Sequence, residues 1–333
     1  MKRLIKLFSL SFFIVIILSG CNEGSTTLKK VKVAEVTRSI FYAPQYVALE
    51  KGFFEEEGLA IELTTTWGGD KTMTTLLSNG ADIALIGSET TIYVYSQGTT
   101  DPVINFAQLT QTDGTFLVSR ENVEEFNWEQ VKQSTFLGQR KGGMPQMVGE
   151  YVLKQNGIDP HKDLDLIQNI DFANIANAFA SGTGDYVQLF EPTASIFEAE
   201  GKGHIVASFG EHSGSVPYTT FMAKESFMGE QEDTIEKFTA ALFKAQVWVE
   251  EHSAKQIADV IHPYFEDTDL SLIETVVERY KSQGSYATTP LLDENEWDNL
   301  QNIMDEAGEL PQTVDHETLV NTSIANTVMN KGN

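Results

Sequence analysis

Short apolar runs alternate with segments of helical period from residue 31 onward, a pattern that predicts an α/β chain. Residues 31–36 read as a strand, Pro44 opens a helix that Gly52 ends, and residues 60–65 alternate as a second strand. Asp70 suits the N-cap of a helix over 71–78, and Gly80 suits its end. Strands are expected at 81–86 and 102–109, with a helix capped by Ser88 running through Tyr95 between them. Further strands are read at 116–119, 134–137, 164–168, 186–190, 205–208 and 218–222, and helices at 145–156, 174–180 and 192–200. From Asp233 the pattern is helical almost to the end, near 233–252, 254–264, 268–283, 294–307 and 315–330.

This order predicts two α/β lobes. The first takes residues 31–112 and 220–333, and the second is the insertion 113–219. Two chain crossings make a two-strand hinge, and a cleft between lobes is a common ligand site.

The first residues carry a different signal. Lys2, Arg3 and Lys6 precede an apolar run from Leu7 to Leu18 that is short for a membrane span. A basic start, a short apolar core and small residues at its end describe a secretory signal peptide over residues 1–20. Leu18-Ser19-Gly20-Cys21 resembles the lipobox of bacterial lipoproteins, in which the cysteine becomes the lipidated first residue. Lipid on Cys21 would tether an exported body to the outer face of the cell membrane, with residues 21–30 as a flexible linker.

Composition narrows the function. The net charge is −25, and without the three basic residues of 1–20 it is −28. A chain this acidic is a poor nucleic-acid partner. Cys21 is the only cysteine, and the six histidines show no ligand spacing, so neither a disulfide nor a metal or other cofactor is expected. Roughly 310 mature residues suffice for packed cores without such staples. No G-x-S-x-G elbow and no H-E-x-x-H motif is present, and no enzyme is expected.

Residues 44–59 spell P-x-Y-x-A-x-x-x-G-F-F-x-x-E-G-L, preceded by Phe41-Tyr42-Ala43 and followed by Leu76-Leu77-Ser78-Asn79-Gly80-Ala81-Asp82, Asp185-Tyr186-Val187 and Glu191-Pro192. This resembles the solute-binding family that includes receptors for thiamine-pyrimidine precursors, sulfonates, taurine and nitrate. The resemblance spans most of residues 31–222. It implies the type II periplasmic-binding-protein fold, a small-molecule ligand, and an ABC permease with its ATPase as partners. A thiamine-pyrimidine synthase shares the family, but it carries a cysteine-rich iron motif that this chain lacks.

Several segments are candidate ligand contacts. Phe41 and Tyr42, with Gln45 in the same stretch, read either as an aromatic wall or as core packing. Trp67, Gly69 and the Gly87-Ser88-Glu89-Thr90 run follow predicted strands, where ligands bind in open α/β sheets, although each also suits a plain turn or helix cap. Arg140, Gly142 and Gly143 before Pro145 have the composition of an anion nest, or of a solvated basic turn. Asp171, Asn174, Gln188 and Glu191 lie near later strand ends. Glu191 suits an amino group on a ring, or a helix N-terminus. The aromatics with Glu191 and Asp171 favour a flat nitrogen heterocycle, and the Arg140 loop with Ser88 and Thr90 favours an oxyanion; the heterocycle is preferred. A non-transport lipoprotein is the remaining alternative.

Overall fold

The computed structural model describes residues 27–331. The segment read as a signal peptide, Cys21 and most of the expected tether lie outside the described residues. In chain order the strands are β1 (Lys29–Glu35), β2 (Leu59–Thr65), β3 (Ile83–Gly87), β4 (Val103–Thr110), β5 (Thr115–Ser119), β6 (Thr135–Leu137), β7 (Asp165–Ile167), β8 (Tyr186–Phe190), β9 (His204–Ser208) and β10 (Thr219–Lys224). They form two five-stranded sheets, ordered β2-β1-β3-β10-β4 and β7-β6-β8-β5-β9.

Both sheets are mixed, and the mixing follows the crossings. β1 pairs parallel with β2 and β3, while β10 returns antiparallel between β3 and β4. In the second sheet β6 pairs parallel with β7 and β8, and β5 lies antiparallel between β8 and β9. β3, β4 and β5 are buried along nearly their whole length, as strands covered on both faces must be.

The chain passes between the sheets twice. The first passage is the short stretch 111–114, and the second runs 209–218 and includes the one-turn helix Gly210–Ser213. The expected two-strand hinge is therefore a pair of irregular segments. They are tied to each other, with the Val216 N–H donating to Gln111 O at 3.0 Å and the Asp113 N–H to Ser213 Oγ at 3.2 Å.

Helices after β10 hold this body together. The helix Glu232–Glu251 lays Phe238 against Phe54, Phe106 and Phe221, with ring centroids 4.9, 6.0 and 4.9 Å away. The helix Leu270–Ser282 sets Tyr280 against Phe41 of the first lobe and Phe116 of the second. The helix Glu294–Glu306 packs on Met144–Gln155 of the second lobe, and Lys154 Nζ donates to the carbonyl of Glu306.

Three local expectations are corrected. Asp70 sits in the first turn of the helix Gly69–Leu77, whose N-cap is Gly68 at φ 145°, a conformation open to glycine. Ser88 precedes the helix Glu89–Ser96 but caps nothing, because its hydroxyl donates to the carbonyl of Pro217. The last helix is broken into His316–Leu319 and Thr322–Lys331. Asn105 of β4 causes the break: its side chain donates to Leu319 O and its carbonyl accepts from the Asn321 N–H.

Glu191 follows β8 and is 1% exposed. Arg279, from the helix Leu270–Ser282, pairs with it, and Ser195 donates to it from both N–H and hydroxyl at 2.9 and 2.8 Å. Burial pushes this carboxyl up, against the opposing pull of Arg279 and Ser195. Removing one partner of a buried pair strands the other charge. Arg279→Ala should therefore cost about 3 kcal/mol of unfolding free energy in urea titrations. Adding Glu191→Gln should recover part of that loss.

Candidate functional site

A cavity of about 470 Å³ opens between the lobes. Its wall is built where the parallel strands end. Val36 follows β1, Trp67–Asp70 follows β2, Gly87–Thr90 follows β3, Gln139–Pro145 follows β6, Asp171–Asn174 follows β7, and Phe190 closes β8. β10 runs the other way, so its beginning, Tyr218 and Thr219, reaches the same edge, with Thr219 opposite Gly87. Ligand sites in open α/β sheets form at this edge.

Ten of the expected residues line the cavity: Tyr42, Trp67, Gly69, Glu89, Thr90, Arg140, Gly142, Gly143, Asp171 and Asn174. Five do not. Phe41 is fully buried, packed 5.1 Å from Tyr280 and 5.6 Å from Tyr218. Gln45 donates to Glu35 at 2.8 Å, within a cluster that also binds Tyr46, Thr65 and Arg38. Ser88 is consumed by Pro217, and Gln188 by Thr115 and the Pro145 carbonyl at 2.8 Å each. Glu191 faces Arg279 and lies outside the cavity, which removes it from the part of a ring-amino acceptor. Each of these five side chains is claimed by a neighbouring polar or aromatic group.

The lining also holds residues that the sequence reading passed over, among them Tyr93, Met144, Phe172, Phe190 and Tyr218. Tyr93 had a legible signal, since it stands four residues from Glu89 on one helix face. Met144 is the first residue of the helix Met144–Gln155. The rings come from both lobes: Tyr42, Trp67, Tyr93 and Tyr218 from the first lobe and the passage leading to it, and Phe172 and Phe190 from the second. Phe190 lies 6.0 Å from Phe41 and 5.9 Å from Phe172, so this wall continues into the core. Trp67 has φ 58° and is 49% exposed, held at the mouth by a backbone conformation uncommon outside glycine.

Charges at the mouth are mostly paired across the cleft. Arg140 of the second lobe lies 3.1 Å from Asp70 of the first and 3.8 Å from Asp171, and Lys141 lies 3.3 Å from Glu309. Burial works upward on the Asp70 carboxyl, but the Arg140 hydrogen bond and charge hold it below its usual range. Lys71, the third lining cation, is exposed and has no ion pair among the described residues. Among the described residues no group of three or more His, Cys, Asp or Glu side chains is placed to hold a metal.

Glu89 is the buried acid of the wall, 3% exposed. The Met144 N–H donates to its Oε1 at 3.3 Å, and Oε2 has no hydrogen-bond partner among the described residues. The carboxyl lies over Gly87, where a Cβ would come within 2.1 Å of Oε2. Burial pushes it up from 4.5 to about 8, against weaker backbone hydrogen bonds. Asp113 at the crossing is pushed by burial from 3.8 to about 6 while it accepts from Thr115. The Tyr218 hydroxyl is buried beside Asp113. Burial first, and then the nearby Asp113 charge, push that hydroxyl well up.

A raised carboxyl pKa fixes the sign of a pH effect. Between about 4.5 and about 8 the native state keeps the Glu89 proton while the unfolded chain releases it, so stability falls as pH rises. Glu89→Gln should abolish this contribution. The unfolding free energy of the variant, relative to the parent, should rise across that window and level off above it. Urea titrations of both proteins over a pH series check this; a constant difference would place the Glu89 pKa at its ordinary value in the fold.

Comparison with known proteins agrees with this architecture. The NMT1-like family matches residues 28–262. The YtlA protein of Bacillus subtilis (strain 168), a binding protein by name, is 69% identical over 96% of this chain and 95% of its own. The alkanesulfonate-binding protein SsuA of Xanthomonas axonopodis pv. citri, bound to MOPS, superposes with a TM-score of 0.71 at 14% identity, covering 88% of this chain and 98% of its own. The periplasmic nitrate-binding protein NrtA of Synechocystis PCC 6803 gives a TM-score of 0.71 at 16% identity, covering 91% and 89%. The two-lobed α/β body is thus a periplasmic-binding-protein fold, and the chain belongs to the NMT1-like family.

Proposed function

We propose that this chain is the extracytoplasmic receptor of an ABC importer, anchored by lipid on Cys21, and that its cavity receives a small heteroaromatic ligand such as a thiamine-pyrimidine precursor. The observation that carries this reading is the set of aromatic side chains drawn from both lobes around the cleft cavity. A flat ring buried there gains stacking and edge contacts on several sides. Contacts with both lobes would favour the closed arrangement, since a ligand shifts an equilibrium only through differential affinity. The permease and its ATPase would be the partners. A binding role, rather than catalysis, is in keeping with the family and with the name of YtlA.

A receptor for an aliphatic sulfonate, taurine or nitrate is the second reading. The names of SsuA and NrtA favour it, as do Lys71, Arg140 and Lys141 at the cavity. Against it, Arg140 already faces two carboxylates and Lys141 one, which leaves the exposed Lys71.

Thermal unfolding of the full chain in detergent, with aminopyrimidines, thiamine, riboflavin, taurine, alkanesulfonates and nitrate, separates these readings. A ligand at about 100 times its Kd stabilises by roughly 2.7 kcal/mol. An aminopyrimidine should raise Tm. Phe172→Ala should weaken that binding by about tenfold, and Arg140→Ala should change it by less than about threefold. A Tm rise with a sulfonate or nitrate that Arg140→Ala removes would establish the second reading instead. No shift with any compound would turn attention to a lipoprotein without a transport role.

A further inference from the structure

Glu89 belongs to the first lobe, yet its carboxyl lies at the opening turn of a second-lobe helix. That helix is twelve residues long, Met144–Gln155, and its Met144 N–H points at Glu89 Oε1. A glycine-rich turn leading into a helix N-terminus is where an external anion would settle. Here the chain's own carboxyl occupies the place. Its other oxygen, Oε2, is buried and has no hydrogen-bond partner among the described residues. Native proteins leave few such atoms unpaired, and each asks for an explanation.

The surroundings narrow the explanation. The backbone of Gly87 and the Met144 N–H lie against the carboxyl, and Tyr42, Tyr93 and Tyr218 line the same cavity. No lysine or arginine among the described residues is paired with the carboxyl. Among the described residues Oε2 has no donor in hydrogen-bonding position, and Glu89 is one of the residues that line the cavity.

We propose that Glu89 is the specificity-determining residue of the cavity: it pairs with an amino group beside a ring nitrogen, and it keeps oxyanions from the helix N-terminus. The inference rests on the cavity being the ligand site. An amino group next to a ring nitrogen offers a donor beside an acceptor. An ionised carboxylate matches that edge once the ring nitrogen is protonated; a neutral carboxyl matches it by donating O–H to the nitrogen while accepting from the amino group. The pairing therefore survives in either protonation state. An oxyanion would meet the carboxyl where it needs the N–H.

Isothermal titration of the full chain in detergent tests this with three probes: 4-amino-2-methylpyrimidine, 2-methylpyrimidine and methanesulfonate. The parent protein should bind the amino compound about tenfold or more tighter than 2-methylpyrimidine, and methanesulfonate not measurably. Glu89→Met should shrink the amino preference to within about twofold. Glu89→Gln, which keeps a donor and an acceptor, should retain most of it, so a loss caused by misfolding is told apart from loss of the pairing. An amino preference that persists in Glu89→Met overturns the assignment to Glu89 and leaves the cavity reading standing. Tight methanesulfonate binding by the parent overturns the exclusion of oxyanions. Failure of the parent to bind either pyrimidine overturns this inference together with the heteroaromatic reading beneath it.

Discussion

The chain first passes from one sheet to the other through a point with no room for a methyl group. A Cβ at Gly114 would sit 2.7 Å from three atoms of the Phe41 ring, and Phe41 is itself fully buried. The Tyr280 hydroxyl donates to the Gly114 carbonyl at 2.8 Å, so backbone, ring and hydroxyl form one contact. Interiors packed this closely transmit displacement and do not absorb it. The position of the second lobe over the first, and hence the width of the cavity, follows from how the crossing is seated against Phe41 and Tyr280.

Around that point the two lobes meet through groups that satisfy one another. Arg279 meets Glu191, Ser39 Oγ donates to the Glu191 carbonyl at 2.6 Å, Arg140 meets Asp70, and Glu89 meets the Met144 N–H. These contacts differ in weight. The Arg140 pairs are half exposed and screened, while Glu191 and Glu89 are buried, where an unmatched charge is costly. The buried pair near the crossing holds the lobes together, and the exposed pairs trim the rim.

Much of the fold was legible in the sequence, because strands and helices of this chain follow hydrophobic period closely. Residues 186–190 were read as a strand and form β8 with the same ends. The break in the last helix was not legible, since it depends on Asn105, more than two hundred residues away. The same limit governs the site. Strand-end logic points Trp67 and Glu89 to the cavity, and the aromatic and glycine-rich stretches point Tyr42 and Arg140 there. It could not show that Glu191 would meet Arg279, or that Gln45 would meet Glu35, because those partners come from other elements. Type and position along the chain told which residues could reach the cleft edge; competition among neighbours in space decided which remained free to face it.

Gly87 and Glu89 are two residues apart, yet they amount to a single choice. A side chain at 87 would meet the end of the Glu89 side chain before it met any backbone, so it would dislodge the acid and leave the strand intact. Moving the carboxyl would also break its hydrogen bond from the Met144 N–H. Among descendants of this chain, then, acceptance of even an alanine at 87 opens the way to a shorter or neutral residue at 89, and retention of the acid keeps the glycine in place. A change in what the cavity admits would thus arrive as a linked pair of substitutions on one strand-to-helix turn, with the rest of the scaffold untouched.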